Sequence, residues 1–256
     1  MSNFMIFLKK EFSEIIRTKW LLVIACVFGG FSILSPLTAR FMTDILVLAL
    51  GDDGLGIPLP AVDFTQSYMQ FFGDIGQMGI IAIILLSMGV ILRELRSGTA
   101  YTMFMKGLAP AVFVIAKFTA RAFALLVIMF LAATLVQLYT FLLFEETFNY
   151  GNVLLSVSLI WLYLSFVLSF VMFASAAVNS TAISALVSFG AWILLMIFGQ
   201  IPVVGRFVPS ILSAERPFEV LTGYFSNYLL WNILITVALI LVFLALCARV
   251  IQNKEI

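Results

Sequence analysis

The sequence contains no histidine and few charged residues. Only 11% of its 256 residues are charged, whereas a soluble domain carries about 25%. So few charges cannot coat a water-facing surface, which argues against an ordinary soluble domain. The missing histidine removes the commonest general base and the commonest metal ligand. The net charge of +1 and the lack of a basic run argue against a nucleic-acid partner.

Motifs for catalysis or metal binding are also missing. The two cysteines, Cys26 and Cys247, lie in apolar stretches and are interpreted as small hydrophobic residues, not as a disulfide or metal site. No phosphate-binding G-x-x-x-x-G-K-[ST] sequence and no H-E-x-x-H sequence occur. The sequence therefore predicts that the chain is not an enzyme by itself and holds neither a cofactor nor a metal.

Long apolar runs dominate what is present. The chain is 63% hydrophobic, its mean hydropathy is +1.17, and several runs reach the roughly 20 residues that cross a hydrocarbon core about 30 Å thick. We therefore predict an all-α, polytopic membrane protein with six transmembrane helices. The predicted spans are residues 20–39 (with the helix continuing to about 50), 73–92, 118–144, 151–178, 181–201 and 227–248.

Residues 3–19 have a different, amphipathic pattern. Apolar side chains fall on one helix face and mostly basic or polar ones on the other, which predicts a helix lying in the membrane interface. A charged leader to the first span is the simpler alternative. The first apolar run follows basic residues as in a signal peptide, but we expect it to be retained as an anchor.

Three segments between spans are rich in helix breakers. Residues 51–72 form a predicted acidic outer loop, residues 93–117 an inner loop, and residues 202–226 an outer segment with short interfacial or re-entrant helices. No internal repeat is evident. The prediction is one transmembrane domain over residues 1–256.

Basic residues predict the orientation. With the N-terminus inside, eleven of the 14 Lys and Arg residues fall on the inner side and three outside, whereas nine of the 13 acidic residues fall outside. This bias follows the positive-inside rule. Both termini are therefore predicted to be cytoplasmic, and we expect the chain to lie in the inner membrane of a bacterium.

Charged side chains are nearly absent from the predicted mid-membrane region, which disfavours an ion path or proton relay. Gln137 and Gln200 are the main amide side chains within spans, and we expect each to make a helix–helix hydrogen bond. Paired glycine or proline breaks typical of secondary carriers are also missing.

The inner loop carries the most informative pattern. Glu94 is followed by the pair Gly98-Thr99, an amphipathic stretch, Pro110, and Lys117 at the start of the third predicted span. This order resembles permease subunits of type-2 ATP-binding cassette (ABC) exporters. The N-terminal amphipathic helix, six spans and broken segment before the last span also resemble that family.

The residues of this loop have a physical interpretation of their own. Thr99 is expected to cap a short helix after the flexible Gly98, and Tyr101, Phe104 and Met105 are expected to give that helix an apolar face for docking on a soluble protein. Lys117, together with Arg121, is expected to anchor the next span at the lipid headgroups. A loop that binds only membrane lipid is the alternative.

The resemblance implies an assembly and a function. Two permease subunits, as a homodimer or heterodimer, would join two copies of a cytoplasmic ABC ATPase that binds the ATP and Mg²⁺, and the loop would couple ATP use to outward movement of a lipid, peptide or other amphipathic cargo. Small residues on the fifth span allow close helix approach at a dimer interface or, equally, within one subunit: Ser184, Ser188 and Ala191. A non-transporting scaffold or immunity protein, or an ion-coupled secondary carrier, are the alternative functions.

Overall fold

All regular elements in the described part of the chain are helices. A computed structural model describes residues 3–50, 63–201 and 204–254, with the backbone alone at residues 3 and 43–50. In chain order the α-helices are α1 (Asn3–Arg17), α2 (Trp20–Leu50), α3 (Phe64–Asp74), α4 (Ile80–Ser87), α5 (Leu92–Arg96), α6 (Thr99–Met105), α7 (Pro110–Phe144), α8 (Tyr150–Ala177), α9 (Thr181–Gly199), α10 (Glu215–Leu221) and α11 (Leu229–Lys254).

Six stretches of the described residues are long and apolar enough to cross a membrane. This confirms the predicted all-α fold with six transmembrane helices. The second of them is composite, because a π-helical turn at Ile75–Gly79 joins α3 to α4. The six stretches are Trp20–Met42, Phe64–Arg96, Pro110–Phe144, Tyr150–Ala177, Thr181–Gly199 and Leu229–Lys254.

The predicted starts of the second and third spans were wrong. The second span begins at Phe64 instead of Gly73, because Ser67, Tyr68, Phe71 and Phe72 recur at helical spacing and are buried. The third begins at Pro110 instead of Phe118. Proline suits the first position of a helix, since its fixed φ is helical and no N–H is needed there. Residues 51–62 of the predicted acidic loop lie outside the described residues.

The described residues before the last span include two short helical elements. One is a 3₁₀ turn at Pro209–Ser213, and the other is α10. The last span then continues beyond its predicted end at residue 248. Cys247, Ala248 and Ile251 are buried, and the ammonium of Lys254 donates a hydrogen bond to the carbonyl of Ala176, 2.8 Å away. These contacts explain why the residues after 248, which were expected to form a tail, continue the helix to Lys254.

Helix α8 lies at the centre of the bundle and α9 at its edge. The chief partners of α8 are α11, α7, α10 and α4. Helix α9 buries two described side chains, Ser184 and Ser188, and both face its own chain. The burial of these serines supports the alternative of packing within one subunit. Ala191 is half-buried.

Candidate functional site

Three separate segments meet where the 93–117 segment joins the bundle. Helix α1 brings Glu11, α5 brings Glu94, and α7 brings Lys117 and Arg121, which lie four residues apart on one helix face. At 35 residues, α7 is about 52 Å long and exceeds a hydrocarbon core of about 30 Å. Its first turns can therefore carry charge beyond the apolar part of a membrane.

Lys117 is the centre of this arrangement. Its ammonium donates to both carboxylate oxygens of Glu11 at 2.9 Å and to Glu94 Oε1 at 2.7 Å. Arg121 Nη1 donates to Glu11 Oε2 at 3.3 Å. The side chains of Lys117 and Glu11 are 0% exposed, and that of Glu94 is 13% exposed. One buried cation therefore joins α1 and α5 to α7.

The charges around Lys117 balance. Lys10 Nζ lies 3.2 Å from carboxylate oxygens of Glu11, Glu14 and Glu94. Three carboxylates thus face three cations in what we call the ionic cluster: Lys10, Glu11, Glu14, Glu94, Lys117 and Arg121. The three carboxylates lie close enough to hold a metal ion, but each of them already pairs with an ammonium or guanidinium group through at least one oxygen. The donor set fits ion pairing and not metal binding.

Electrostatics keep Lys10 and Glu11 of the ionic cluster ionised. Burial by itself raises the pKa of Glu11, but Lys117, Arg121 and Lys10 outweigh it and hold that pKa below its usual value of 4.5. Burial by itself lowers the pKa of Lys10, but Glu11, Glu94 and Glu14 outweigh it and raise that pKa above 10.5. Both groups are therefore charged near neutral pH.

The lowered pKa of Glu11 predicts loss of stability in acid. Since the folded pKa lies below the unfolded value of 4.5, the contribution of Glu11 is complete above that value and is lost as the pH falls through the folded pKa. The unfolding temperature of the detergent-solubilised protein should fall below about pH 4.5. Glu11→Gln should be less stable near pH 7 and show a smaller acid-induced decrease, which differential scanning fluorimetry measures. Identical pH profiles for both proteins would contradict the assignment.

A layer of aromatic rings lies beside the ionic cluster. Phe113, on α7, is 5.4 Å from Phe104 of α6 and 5.6 Å from Phe7 of α1, measured between ring centroids. The Lys117 ammonium lies 5.2 Å from the centroid of the Phe113 ring, a cation–π distance. Phe104 therefore packs inward, and it does not belong to the exposed face on which it was expected.

Helix α6 starts differently from the prediction. Gly98, with φ of +75°, is its N-cap residue, and Thr99 is the first helical residue. The Thr99 hydroxyl instead donates to the Glu94 carbonyl at 3.3 Å. Tyr101 and Met105, four residues apart, point outward, with Met105 89% exposed. The structure thus leaves a two-residue apolar face on α6.

A second set of contacts joins α5 and the residue before it to α8 and the α8–α9 turn. The hydroxyl oxygen of Ser175 accepts from the backbone N–H groups of Ile91 at 3.3 Å and Leu92 at 3.2 Å. These donors lie where the second span breaks before α5, so Ser175 satisfies groups that the break frees. The Arg96 guanidinium donates to the carbonyl of Asn179 in the α8–α9 turn. Helix α5 is therefore held by α7 on one side and α8 on the other.

The site residues that the sequence predicted have different positions and roles in the structure. Glu94 and Lys117 meet in the ionic cluster, Tyr101 and Met105 are exposed, and Phe104 is packed. The remaining three residues define where helices begin. Gly98 is the left-handed N-cap of α6, Thr99 is the first residue of α6, and Pro110 is the first residue of α7. Lys117 and Arg121 are buried in ion pairs, so the expected headgroup anchoring was wrong, because nearby carboxylates neutralise both cations.

Sequence reasoning missed Glu11. Phe7, Glu11 and Ile15 recur every four residues, and all three are buried against the bundle. A carboxylate on the apolar stripe of an amphipathic helix needs a cation partner. The Lys117–Arg121 pair, at the same four-residue spacing, was the available signal.

The opposite end of the bundle has a polar contact that was predicted. Gln137 of α7 accepts from the hydroxyl of Tyr68 of α3 at 2.6 Å and donates to the carbonyl of Phe148 at 3.0 Å. The expected helix–helix hydrogen bond of Gln137 is therefore confirmed. Gln200 is exposed and lines a cavity of about 470 Å³ between the end of α9 and the 3₁₀ turn.

The fold and the site define a polytopic helical membrane protein with a short exposed helix fastened to its bundle. A family model described as "ABC-2 family transporter protein" matches residues 5–256. The chain therefore belongs to this family, as the resemblance predicted, and is the membrane subunit of a transporter. Membership implies association with an ABC ATPase in general. The comparison with curated proteins gives no match.

Proposed function

We propose that the chain is the permease of an ATP-driven exporter that moves a lipid, peptide or other amphipathic cargo outward. The observation that carries this proposal is the double attachment of α5 and α6 to α7. Glu94 binds Lys117 at 2.7 Å, and Phe104 packs on Phe113, which lies four residues before Lys117. A displacement of α5 and α6 by a partner would therefore reach α7 through two contacts one helical turn apart.

A separate ATPase supplies the energy in this proposal. A conformational change requires a difference in interaction energy between two states, and the partner provides it by binding and hydrolysing ATP with Mg²⁺. The exposed apolar face of α6, formed by Tyr101 and Met105, is the surface that meets the ATPase. Buried ion pairs suit transmission because breaking one of them is costly, so that α1, α5 and α7 move together.

The proposed orientation places the α1 end, with the ionic cluster, in the cytoplasm of a bacterium. The bias of Lys and Arg towards this end supports it. The exposed apolar side of α1 includes Met5, Ile6 and Ile16, which suits a helix lying in the interface of the cytoplasmic membrane. Both termini are cytoplasmic in this arrangement.

The proposed assembly contains two permease subunits, as a homodimer or heterodimer, and two ATPases. Helix α9 supports pairing through its outward side, where Leu186, Leu194 and Ile197 are more than half exposed. Such a side contacts lipid or a second subunit, whereas its serines pack inward. The small number of charges within the spans favours an amphipathic cargo over a metal cation.

Co-purification tests the proposed function. The tagged chain is expressed in its native host, solubilised in mild detergent and analysed for bound proteins. Recovery of an ATP-hydrolysing subunit at one copy per permease, with cargo movement in proteoliposomes that requires ATP, is the expected result. Recovery of the chain alone, when known complexes survive the same detergent, would contradict it. Transport that persists without ATP but stops when the ion gradient collapses would indicate a secondary carrier.

The exposed methionine of α6 gives a sharper test of ATPase docking. Met105→Asp places a charge where 89% of an apolar side chain is exposed, so it should leave folding intact and reduce retention of the ATPase about tenfold or more, as expected for an interface hot spot. Quantitative mass spectrometry of the purified complex measures the ratio. Met105→Leu is the matched control and should retain the ATPase. Equal retention by both variants would exclude this face as the docking surface.

A further inference from the structure

A groove runs between α1 and α6, beside the ionic cluster. Its volume is about 320 Å³, at the lower end of the range for ligand pockets. Apolar side chains make most of its wall, and two lysines stand among them. The lining residues are Ile6, Phe7, Lys10, Met103, Lys106 and Leu108.

The two lysines differ in how far their charge is neutralised. Lys10 lies 3.2 Å from three carboxylates and belongs to the balanced ionic cluster. Lys106 is exposed and forms no ion pair with any residue that the structure describes. Lys9, next to Lys10 on α1, is also exposed but does not line the groove. The groove thus combines an apolar wall with uncompensated positive charge at its rim.

Helix α6 presents this groove and the proposed ATPase face on different sides. Tyr101 and Met105 point outward, whereas Met103 is partly buried and lines the groove. A ligand in the groove would therefore lie between α1 and α6 without covering Met105.

We propose that this groove binds the headgroup and first chain segments of an anionic phospholipid, with Lys106 holding the phosphate region. An apolar wall under an ammonium matches an amphipathic anion, and α1 has exposed apolar residues that suit membrane contact. The bound lipid would join α1 to α6, so that the charge of the surrounding leaflet influences the position of α6. The lipid site does not depend on the proposed transport function.

Native mass spectrometry of the purified chain tests the site. Dioleoyl phosphatidylglycerol and dioleoyl phosphatidylcholine, which share acyl chains, are titrated separately. The wild type should prefer the anionic lipid, and Lys106→Gln should lower its affinity for phosphatidylglycerol about fivefold, the worth of one lysine near a charged lipid. Its affinity for phosphatidylcholine should not change. Lys106 lies outside the ionic cluster, so the variant should fold normally.

Arg249→Gln is the matched control, because Arg249 is exposed on α11 and does not line the groove. It should keep the wild-type preference. Equal losses in both variants would overturn the site in favour of general charge attraction. Competition by soluble glycerol 3-phosphate at the same concentration as the lipid would reveal a free-phosphate site instead. Unchanged lipid binding with loss of ATPase retention in Lys106→Gln would assign the groove to the ATPase.

Discussion

Replacing Lys117 with methionine is expected to destabilise the protein more than any other single change in the ionic cluster. Lys117 is completely buried and pairs with both Glu11 and Glu94, so its loss leaves two carboxylates short of a cation. Lys10 and Arg121 still reach these carboxylates, so the cost should be near the lower end for a broken buried ion pair, about 3 kcal/mol. Unfolding in detergent should occur roughly 6–12 °C lower.

A double variant separates charge from packing. Lys117→Met with Glu11→Gln removes one charge of each sign, leaving Glu14 and Glu94 opposite Lys10 and Arg121. We therefore expect the double variant to be at least as stable as Lys117→Met alone. Strictly additive effects of the two substitutions would contradict a coupled cluster.

Lys106→Met is the matched control for Lys117→Met, since it makes the same substitution at an exposed lysine. Its effect on the free energy of unfolding should stay within about 0.5 kcal/mol. If the two lysine variants unfolded at the same temperature, the ion pairs of Lys117 would contribute nothing to stability.

Replacing Gly98 with proline is expected to abolish stimulation of the ATPase by cargo while leaving membrane insertion intact. Gly98 has φ of +75°, whereas proline fixes φ near −65°. Proline also removes the backbone N–H that Gly98 donates to the Leu95 carbonyl at 3.3 Å. Helix α6 would then leave α5 in another direction, and Phe104 could not stay on Phe113. ATP hydrolysis by the reconstituted complex, with and without cargo, measures the loss.

Gly98→Ala should retain part of the stimulation, because a left-handed alanine costs about 1–2 kcal/mol but keeps the N–H. Gly190→Ala is the control: Gly190 lies within α9, and an added Cβ there would meet no atom within 4 Å. It should behave as the wild type. Full stimulation in Gly98→Pro would remove the coupling role from the 93–117 segment.

Composition and periodicity determined the class of this protein. Six apolar runs, too long and too uncharged for a soluble core, require a lipid environment in which helices satisfy their own backbone hydrogen bonds. The order Glu94, Gly98-Thr99, Pro110 and Lys117 indicated the family in combination with the amphipathic N-terminal helix and the six spans. Helix ends were less predictable where burial overrides a local breaker. Gly73, for example, lies inside the second span, because Phe72 before it and Ile75 after it are both buried in the bundle.

Tertiary structure decided what the charged residues do. Sequence shows that Glu11, Glu94 and Lys117 exist, but they are 83 and 23 positions apart along the chain, and no local pattern states which carboxylate neutralises which cation. The same holds for Phe104, which belongs to an apolar face by periodicity and turns inward because Phe113 is there to receive it. Hydrophobic patterning selects helices and spans, because it acts within each segment. Ion pairs and packed rings depend on contacts between distant segments, and only the folded bundle determines them.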